Sequence, residues 1–242
     1  MLTAWQEAEI IDIQPEVAGT KRFFLRLPEV ETLDFRPGQF MTFDLPIHEK
    51  RNRRWRSYSI ASAPNGTNVL EFVIVLLEGG LGTEYLFNQA SIGTRFPVRG
   101  PQGHFTLPES IEKEICFICT GTGIAPFRSM LQHIYQNNIP HKGLQLVFGT
   151  RLQENILYYN EMKELDQKMP DFTYHVALSR EKNPDWTGYK GYVHQIYENL
   201  YADKRDAHFY ICGWQNMIDE ACQRLHAMGY QRKINIICES YG

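Results

Sequence analysis

The sequence predicts two domains of different class: an antiparallel β domain over residues 1–108 and an α/β domain with a parallel sheet over residues 109–242. At first, short segments rich in β-branched and aromatic residues alternate with turn sequences, which is typical of an antiparallel barrel or sandwich. Farther along, nearly continuous apolar segments alternate with helical ones, as in a parallel sheet covered on both faces. The Pro- and Gly-rich stretch at 98–110 separates the two patterns and predicts the boundary.

Five strands and one helix are predicted in the first domain. Phe23, Leu25 and Leu27 occupy alternate positions, so the second strand should bury one face. The helix follows a glycine-rich turn, and Thr83 is a suitable N-cap residue for it. The predicted strands cover residues 4–13, 20–27, 39–45, 56–62 and 70–77, and the helix covers residues 82–90.

The second domain is predicted to alternate strands with helices. Its strands are almost continuously apolar, which indicates burial on both faces of a sheet. The predicted strands cover residues 114–120, 143–150, 172–178, 207–213 and 233–239, and the helices cover residues 125–138, 158–169, 192–201 and 214–229.

The composition is that of an ordinary globular protein of 242 residues, with 43% hydrophobic and 22% charged residues. The net charge of −3 and the pI of about 6.2 exclude a global basic field of the kind that binds nucleic acid. No apolar run approaches the roughly 20 residues that a membrane span needs. The first ten residues lack the basic start and apolar core of a secretory signal. A cytoplasmic protein is therefore expected.

The five cysteines lie mostly in apolar segments that are predicted as buried strands. This distribution favours free thiols in a reducing compartment. Cys116 and Cys119 form a C-x-x-C motif, but it lies inside the strand sequence EICFICT, and no further ligands follow at short spacing. We therefore expect core thiols and no metal site there. No cysteine cluster has the spacing of iron–sulphur ligands either.

The sequence CTGTGIAPF at 119–127 stands where the first strand of the α/β domain ends and its first helix begins. In such sheets, ligands bind at the carboxyl ends of the strands. Gly121 and Gly123 let the backbone approach an anion, toward which the first N–H groups of the helix point. Pro126 suits the first helical turn, where its missing N–H costs nothing. Glycines also occur at such turns for steric reasons alone, so this motif by itself leaves nucleotide binding open.

Two segments of the first domain form another candidate anion site. Arg56 and Tyr58 lie in the strand sequence RWRSYSIAS, where alternation sends them to one face and Ser57 and Ser59 to the other. The sequence EGGLGTEYL places a glycine-rich turn before a helix, whose first N–H groups are available to a phosphate. Judged alone, the two segments are also consistent with an edge strand and a plain capped helix.

Seven ordered motifs resemble those of the ferredoxin–NADP reductase family and extend over essentially the whole chain. They are R-x-Y-S (56–59), a glycine-rich turn (79–83), GPQGHF (100–105), GTGIAP (121–126), SRE (179–181), CG (212–213) and E-x-Y (239–241). The resemblance implies an antiparallel FAD-binding barrel followed by a Rossmann-like NAD(P)-binding domain, without an iron–sulphur domain. It further implies an oxidoreductase that transfers hydride between NADPH and FAD N5 and exchanges single electrons with a separate carrier.

The resemblance implies that FAD is bound by the first domain. Arg56 would pair with the pyrophosphate, because a planar guanidinium suits phosphate oxygens. Tyr58 would lie against the isoalloxazine or ribityl chain, and Ser59 would offer its hydroxyl to flavin N5. The expected FAD-binding residues are Arg56, Ser57, Tyr58, Ser59, Gly80, Leu81, Gly82 and Thr83.

For the second cofactor the resemblance implies NADP(H), with NAD(H) possible. Ser179 and Arg180 in LSREK look like the family's pocket for the 2′-phosphate, which a guanidinium can bind in bidentate fashion. Arg151 would add charge, and Lys190 and Tyr192 would cover the adenine. The alternative is a solvated loop, since this segment is charged and turn-like. The nucleotide loop itself is expected to bind through Gly121, Thr122, Gly123, Ile124, Ala125 and Pro126.

At the reacting centre the resemblance places residues of the last two strands. Cys212 would pack near the reacting carbon of the nicotinamide, and Gly213 would leave room for the ring. Glu239 would organise charge or a proton relay, and Tyr241 would stack on the flavin face that nicotinamide must occupy. The family's closest members end on this tyrosine, whereas this chain adds Gly242, which could weaken the stack. The expected catalytic residues are Ser59, Cys212, Glu239 and Tyr241.

The expected partner is ferredoxin, flavodoxin or another one-electron acceptor protein. The sequence HEKRNRRWR at 48–56 is a local basic patch, suited either to docking an acidic carrier or to holding the FAD phosphates. Two other functions remain open: an NADH-dependent reductase component of an oxygenase system, and a non-catalytic redox sensor that binds flavin and nucleotide. Cys212 with Glu239 argues against the sensor, because a sensor needs no hydride geometry.

Overall fold

The computed structural model describes residues 4–241, which form two compact units. The first unit runs to Leu107 and also includes Ala125–His133, whereas the second comprises Pro108–Ile124 and the chain from Ile134 onward. Each unit contains one six-stranded sheet. Within residues 4–241, no helix is long and apolar enough to cross a membrane.

The sheet of the first unit is antiparallel and has the strand order β4-β3-β6-β1-β2-β5. The N–H of Ala61, just after β4, donates to the carbonyl of Glu71 in β5 at 2.8 Å. Because β4 and β5 are the two edge strands, this bond closes the sheet into the predicted barrel. The elements are β1 (Trp5–Val17), β2 (Thr20–Arg26), β3 (Phe40–Asp44), β4 (Trp55–Ser59), β5 (Val69–Val75), α1 (Leu81–Asn88) and β6 (Arg95–Gln102).

An apolar core fills the interior of the first unit. Phe23, Leu25 and Leu27 are all buried, which confirms the predicted alternation in β2. The ring of Phe43 lies about 5 Å from three other aromatic rings, so the strands are joined by packing as well as by their hydrogen bonds. These three rings belong to Tyr58, Phe72 and Phe96.

The strand β6 is not predicted from the sequence, because prolines and a glycine interrupt its pattern and suggest a boundary. In the structure Phe96 and Val98 are buried at alternate positions. Pro97 lies opposite Glu7 of β1, and the pairing with β3 extends from Val98 to Gln102. The proline therefore lies beyond the register with β3, where its missing N–H removes no bond from that ladder.

The second unit contains a parallel sheet with the strand order β10-β9-β8-β7-β11-β12. This confirms the predicted Rossmann-like domain. The chain continues from β7 to β8 on one side, whereas β11 lies on the other side of β7, and ligands of such sheets bind at the carboxyl ends of the two strands at this switch point. The elements are β7 (Glu114–Thr120), α2 (Ile124–Gln136), β8 (Leu144–Thr150), α3 (Tyr159–Lys168), β9 (Phe172–Leu178), β10 (Tyr189–Lys190), α4 (Val193–Leu200), β11 (Ala207–Trp214), α5 (Gln215–Ala227) and β12 (Ile236–Tyr241).

The last strand begins three residues later than predicted and ends two residues later. Lys233 adopts a φ of +68°, a left-handed conformation that interrupts an extended chain. Ile234, which the pattern assigns to the strand, is 60% exposed. The strand begins at Ile236 and extends to Tyr241, whereas Gly242 lies outside the described residues.

The cysteines of the C-x-x-C motif are core thiols, as predicted. Cys116 and Cys119 lie in β7 and are fully buried. All five cysteines are free thiols. Within residues 4–241, no group of three or more His, Cys, Asp or Glu side chains could hold a metal ion.

Candidate functional site

In the first unit, Arg56 lies against the start of α1. An ideal Cβ added at Gly82 would stand 2.8 Å from Cγ of Arg56, closer than any real contact permits. Glycine at this position therefore lets the guanidinium-bearing side chain cross the first turn of the helix. Nη1 of Arg56 donates to the carbonyls of Trp55, at 2.7 Å, and Arg53, at 3.2 Å, which hold the side chain in place.

The first turn of α1 differs from the sequence prediction, because Thr83 is not its N-cap. Gly80 is the N-cap, and no side chain caps the helix there. The Thr83 hydroxyl accepts the N–H of Leu77 at 3.1 Å and lies 3.0 Å from the carbonyl of Gly80, so it holds the preceding turn instead. The first amides of Leu81, Gly82 and Thr83 thus lack a side-chain cap next to a guanidinium, an arrangement that fits a diphosphate.

The three residues that follow Arg56 in β4 differ in exposure. Ser57 is exposed, and its hydroxyl lies 3.0 Å from that of Thr42. Tyr58 packs on Phe43 with ring centroids 5.0 Å apart, and burial raises the pKa of Tyr58 to about 12. Ser59 is buried. Tyr58 therefore remains a neutral, largely apolar surface at physiological pH.

A buried ion cluster, which the sequence analysis missed, is centred on Glu71 in β5. The carboxylate of Glu71 accepts Nε of Arg22 at 2.6 Å and Nη1 of Arg128 at 2.9 Å. Arg128 also donates to the carbonyl of Ala61 at 2.9 Å. Glu71 and Arg128 are each 5% exposed. The only sequence signal was a lone acid in the apolar strand LEFVIV.

Two further residues of α2 bind the same loop after β4. The Ser129 hydroxyl donates to the carbonyl of Ser62 at 2.7 Å. The N–H of Ala63 donates to Oε1 of Gln132 at 3.2 Å. Together with the Arg128 bond, these contacts fix residues 61–63, which directly follow the R-x-Y-S strand.

In the second unit, the nucleotide turn packs against the end of β11. The turn is a short 3-10 helix, Gly121–Gly123, between β7 and α2, as the motif predicts. A Cβ at Gly123 would lie 2.4 Å from the carbonyl oxygen of Cys212. A Cβ at Gly213, which has a φ of +149°, would lie 2.5 Å from Oγ1 of Thr120. Only glycine fits at either position, so the two strand ends approach through bare backbone.

Thr120 is a candidate site residue that the sequence analysis did not single out. Its Oγ1 is one of four buried side-chain polar atoms without a hydrogen-bond partner in the described part of the chain. Such an atom calls for an explanation, and a polar ligand is one. It stands at the carboxyl end of β7, beside Gly213, where a ligand of this fold binds. The threonine immediately before G-x-G was the available sequence signal.

Cys212, Glu239 and Tyr241 come together at the ends of β11 and β12. Cys212 pairs with Glu239 in the sheet register, and the Tyr241 side chain forms a hydrogen bond with the Cys212 thiol. Burial, with a smaller effect of the nearby Glu239 charge, raises the pKa of Cys212. The thiol is therefore protonated at neutral pH and acts as a small packing group, not as a nucleophile.

The loop after β9 holds the residues expected to bind a 2′-phosphate. The N–H of Arg180 donates to the carbonyl of Arg151 at 2.9 Å, which brings the two exposed arginines into adjacent loops. The N–H of Ser179 donates to the carbonyl of Thr150 at 3.0 Å. The Glu181 carboxylate accepts three backbone N–H groups, which lower its pKa, so this acid is occupied in shaping the loop.

Lys190 and Tyr192 lie on the segment that follows this loop. Lys190 pairs with Leu178 of β9 and donates from Nζ to the carbonyl of Asn183 at 3.0 Å. Tyr192 precedes α4 and is 70% exposed, so its ring is available to a planar ligand.

The basic patch at 48–56 is partly neutralised. Arg54 binds Asp44 in bidentate fashion at 2.6 and 2.7 Å, and Arg51 lies 3.5 Å from the same carboxylate. Lys50 and Arg53 are exposed. The net positive charge that this segment presents is therefore smaller than its sequence suggests.

Comparison with known proteins assigns both units. The chain matches the oxidoreductase FAD-binding domain over residues 7–107 and the oxidoreductase NAD-binding domain over residues 117–223. A crystal structure of a ferredoxin NADP+ reductase from Neisseria gonorrhoeae with bound FAD and NADP has the same fold, with a TM-score of 0.80, 24% identity, and coverage of 98% of each chain. These matches agree with the predicted order of a barrel and a Rossmann-like domain.

Two curated relatives are similar over most of this chain. The chain is 31% identical to ferredoxin–NADP reductase B of Sorangium cellulosum over 218 residues, which cover 88% of this chain and 87% of that protein. It is also 31% identical to the anthranilate 1,2-dioxygenase electron transfer component of Acinetobacter baylyi over 191 residues, 78% of this chain but 53% of that protein. The chain thus spans about half the length of the second relative. The chain belongs to the ferredoxin–NADP reductase family of oxidoreductases that bind FAD and NAD(P).

Proposed function

We propose that this protein transfers hydride between NADPH and FAD and exchanges single electrons with a separate carrier such as ferredoxin or flavodoxin. The observation that supports this most directly is the pair of glycines at the ends of β7 and β11, beside the unpartnered Thr120 hydroxyl. Bare backbone and one buried polar atom suit a flat ring with an amide substituent, as in nicotinamide. FAD supplies the conversion between two-electron and one-electron transfer, and the chain's residues position it.

The FAD roles of the first unit follow from its charges and glycines. Arg56 and the uncapped amides of Leu81, Gly82 and Thr83 hold the pyrophosphate. Tyr58 supplies an apolar wall for the isoalloxazine or ribityl chain, and Ser57 and Gly80 border the site. Ser59 offers its hydroxyl to flavin N5.

The nicotinamide roles fall to the second unit. Thr120 hydrogen-bonds the carboxamide, and Gly213 leaves room for the ring. Cys212, kept neutral by burial, packs against the reacting carbon without adding to it, as a thiolate nucleophile could. Glu239 organises charge beside it. The Gly121–Pro126 turn and helix start bind the nucleotide phosphates through Gly121, Thr122, Gly123, Ile124, Ala125 and Pro126.

Tyr241 is proposed to stack on the flavin until nicotinamide displaces it. The Tyr241→Ser variant should bind NADP+ about fivefold more tightly, because an aromatic stack of roughly 1 kcal/mol no longer competes. It should also turn over more slowly, since the nicotinamide leaves less readily. NADP+ titration and steady-state kinetics measure both effects. Tyr241→Phe is the matched control, as it keeps the aromatic ring and removes the hydroxyl that bonds the Cys212 thiol. Unchanged NADP+ affinity in Tyr241→Ser would contradict this role.

Arg180 is proposed to select NADPH over NADH through the 2′-phosphate, with Ser179 as a neutral donor and Arg151 nearby. Lys190 and Tyr192 border the adenine. The Arg180→Ala variant should lose about 10- to 150-fold in kcat/KM for NADPH, which corresponds to one charge-assisted hydrogen-bond site of roughly 1.5–3 kcal/mol. The kcat/KM for NADH should stay within about twofold. Equal losses for both cofactors would show that Arg180 does not read the phosphate.

The carrier and the cellular location belong to the same proposal. Lys50 and Arg53 leave an exposed positive patch suited to an acidic carrier. Relatives that serve dioxygenases make an oxygenase component the second candidate partner. Five free cysteines agree with a cytoplasmic location. We propose residues 1–108 as the FAD-binding domain and 109–242 as the NAD(P)-binding domain.

The decisive experiment is to purify the protein, identify its flavin and measure NADPH-dependent reduction of a ferredoxin, a flavodoxin and ferricyanide. The proposal expects FAD and reduction of all three, with one carrier preferred. Reduction of ferricyanide but of neither carrier would favour the oxygenase component. A colourless protein that cannot be reconstituted with FAD would contradict the proposed function.

A further inference from the structure

Two cysteines outside the site described above face each other in the second unit. Cys222 is on α5 and Cys238 is on β12, and their sulphur atoms are 3.3 Å apart. Both are half-buried at the margin of the apolar core, so solvent and small oxidants reach them. The other three cysteines are fully buried. Cys222 and Cys238 are therefore the two solvent-accessible thiols, and they contact each other.

The surroundings of the pair favour one thiolate beside one thiol. A hydrogen bond joins the sulphur atoms of Cys222 and Cys238, and it lowers the pKa of Cys222 to about 7. Arg232 lowers it further, whereas burial and Asp219 oppose the shift. The pKa of Cys238 is raised by the same hydrogen bond and by burial. An accessible thiolate next to a second thiol is the arrangement from which disulfides form.

We propose that Cys222 and Cys238 are a redox-active dithiol, which hydrogen peroxide oxidises to an intramolecular disulfide that joins α5 to β12. The Cys222 thiolate attacks one peroxide oxygen, the O–O bond breaks, and sulfenic acid and hydroxide result; the hydroxide takes up the proton that the Cys222 thiol had released and becomes water. The Cys238 sulphur then attacks the Cys222 sulphur and releases a second water. Two thiols lose two electrons and two protons, and the peroxide is reduced to two waters. The sulphur atoms need to approach by only a little over 1 Å to reach bonding distance.

The disulfide would act on the strand that carries Glu239 and Tyr241. β12 is the edge strand of its sheet, and β11 is the only strand that pairs with it within residues 4–241. Cys238 pairs there with Ile211, directly before the Cys212–Glu239 pair. A covalent bond from Cys238 to Cys222 would tie β12 to α5 and so restrain the strand in addition to its pairing with β11. Oxidation is therefore expected to slow amide exchange in residues 236–241. This effect on the nicotinamide side rests on the proposed function, whereas disulfide formation does not.

The test maps thiols in the flavin-loaded protein before and after treatment with hydrogen peroxide, by alkylation and peptide mass spectrometry. We expect two of the five thiols to become unreactive and a cross-linked peptide pair containing Cys222 and Cys238, reversed by dithiothreitol. Before oxidation, Cys222 should be alkylated about tenfold faster at pH 7 than an ordinary thiol. Hydrogen exchange then compares residues 236–241 in the two forms.

The controls separate this proposal from the hydride chemistry. Cys222→Ser and Cys222→Ala should both abolish the cross-link, and flavin content and circular dichroism establish that each variant is folded. Because thiol mapping uses no NADPH, the disulfide is tested even if the enzyme proves inactive. Oxidation of Cys222 to sulfinic acid without a cross-link, or a cross-link to any other cysteine, would overturn the proposal.

Discussion

Replacing Glu71 with alanine should lower the free energy of unfolding by about 3–5 kcal/mol. That is the cost of leaving a buried charge without its ionic partner. Glu71 and Arg128 are each 5% exposed, and the carboxylate accepts hydrogen bonds from Arg128 and Arg22. Without it, the buried guanidinium of Arg128 loses an anion that offsets its desolvation, whereas Arg22 is partly exposed and keeps Glu16 at 3.9 Å. Urea unfolding of the flavin-loaded protein, followed by circular dichroism, measures the change.

A matched surface substitution sets the scale for this experiment. Glu164 pairs with Lys168 one helical turn away on α3, and both side chains are exposed. Glu164→Ala should leave the urea midpoint almost unchanged, because solvent screens an exposed pair. Glu71→Gln keeps the size of the side chain but removes its charge, and it should be destabilised nearly as much as Glu71→Ala. Equal midpoints for Glu71→Ala and Glu164→Ala would contradict a structural role for the cluster.

The Glu71 cluster joins segments of the first unit that are far apart in sequence. Arg128 lies in the part of α2 that belongs to this unit. Its other hydrogen bond is to the carbonyl of Ala61, two residues after the R-x-Y-S strand. The cluster therefore holds this part of α2 against the loop that follows β4. A destabilised variant should lose FAD affinity along with stability.

The fold was largely predictable because the apolar strands of the second unit carry their signal locally. EICFICT is buried in five of its seven positions, and no other element type fits so short an apolar run before a G-x-G turn. β6 could not be predicted in the same way. Pro97 pairs with Glu7 of β1 and lies one residue outside the register with β3, and register depends on distant strands.

Features of the candidate site that depend on neighbouring residues could be predicted from the sequence. Features that depend on contacts between residues far apart in the sequence could not. Gly121 and Gly123 are close in sequence, so their motif is enough to predict the turn between β7 and α2, and its binding of a nucleotide stays a prediction. Thr83 was assigned as an N-cap from composition, but Gly80 takes that position and the hydroxyl binds Leu77 instead. Thr120 and Glu71 were missed because their importance comes from residues 93 and 57 positions away, Gly213 and Arg128. Such pairs are defined by tertiary structure alone.

The Gly213→Ala variant should lose about 100-fold or more in kcat/KM for NADPH. The added methyl group would stand 2.5 Å from Oγ1 of Thr120 and 3.0 Å from Cε of Met217, so the ends of β7 and β11 must separate. A displacement of about 1 Å in a hydride-transfer site is enough for a loss of this size. The φ of +149° adds backbone strain of roughly 1–3 kcal/mol. Stopped-flow reduction of the flavin by NADPH, with NADP+ titration beside it, separates lost binding from slowed transfer.

Gly229→Ala is the control for backbone strain. Gly229 has a φ of +104°, follows α5, and has no atom within 4 Å of the added Cβ. The Gly229→Ala variant should lose roughly 1–3 kcal/mol in free energy of unfolding, as expected for Gly213→Ala. Its rate of flavin reduction by NADPH should be unchanged. Adding Thr120→Ala to Gly213→Ala removes the crowded hydroxyl and should recover part of the lost rate, a coupling that a double-mutant cycle quantifies. The methyl group of Gly213→Ala crowds the proposed nicotinamide position, whereas that of Gly229→Ala does not. Equal rates of flavin reduction in the two variants would therefore show that nicotinamide does not bind beside Gly213.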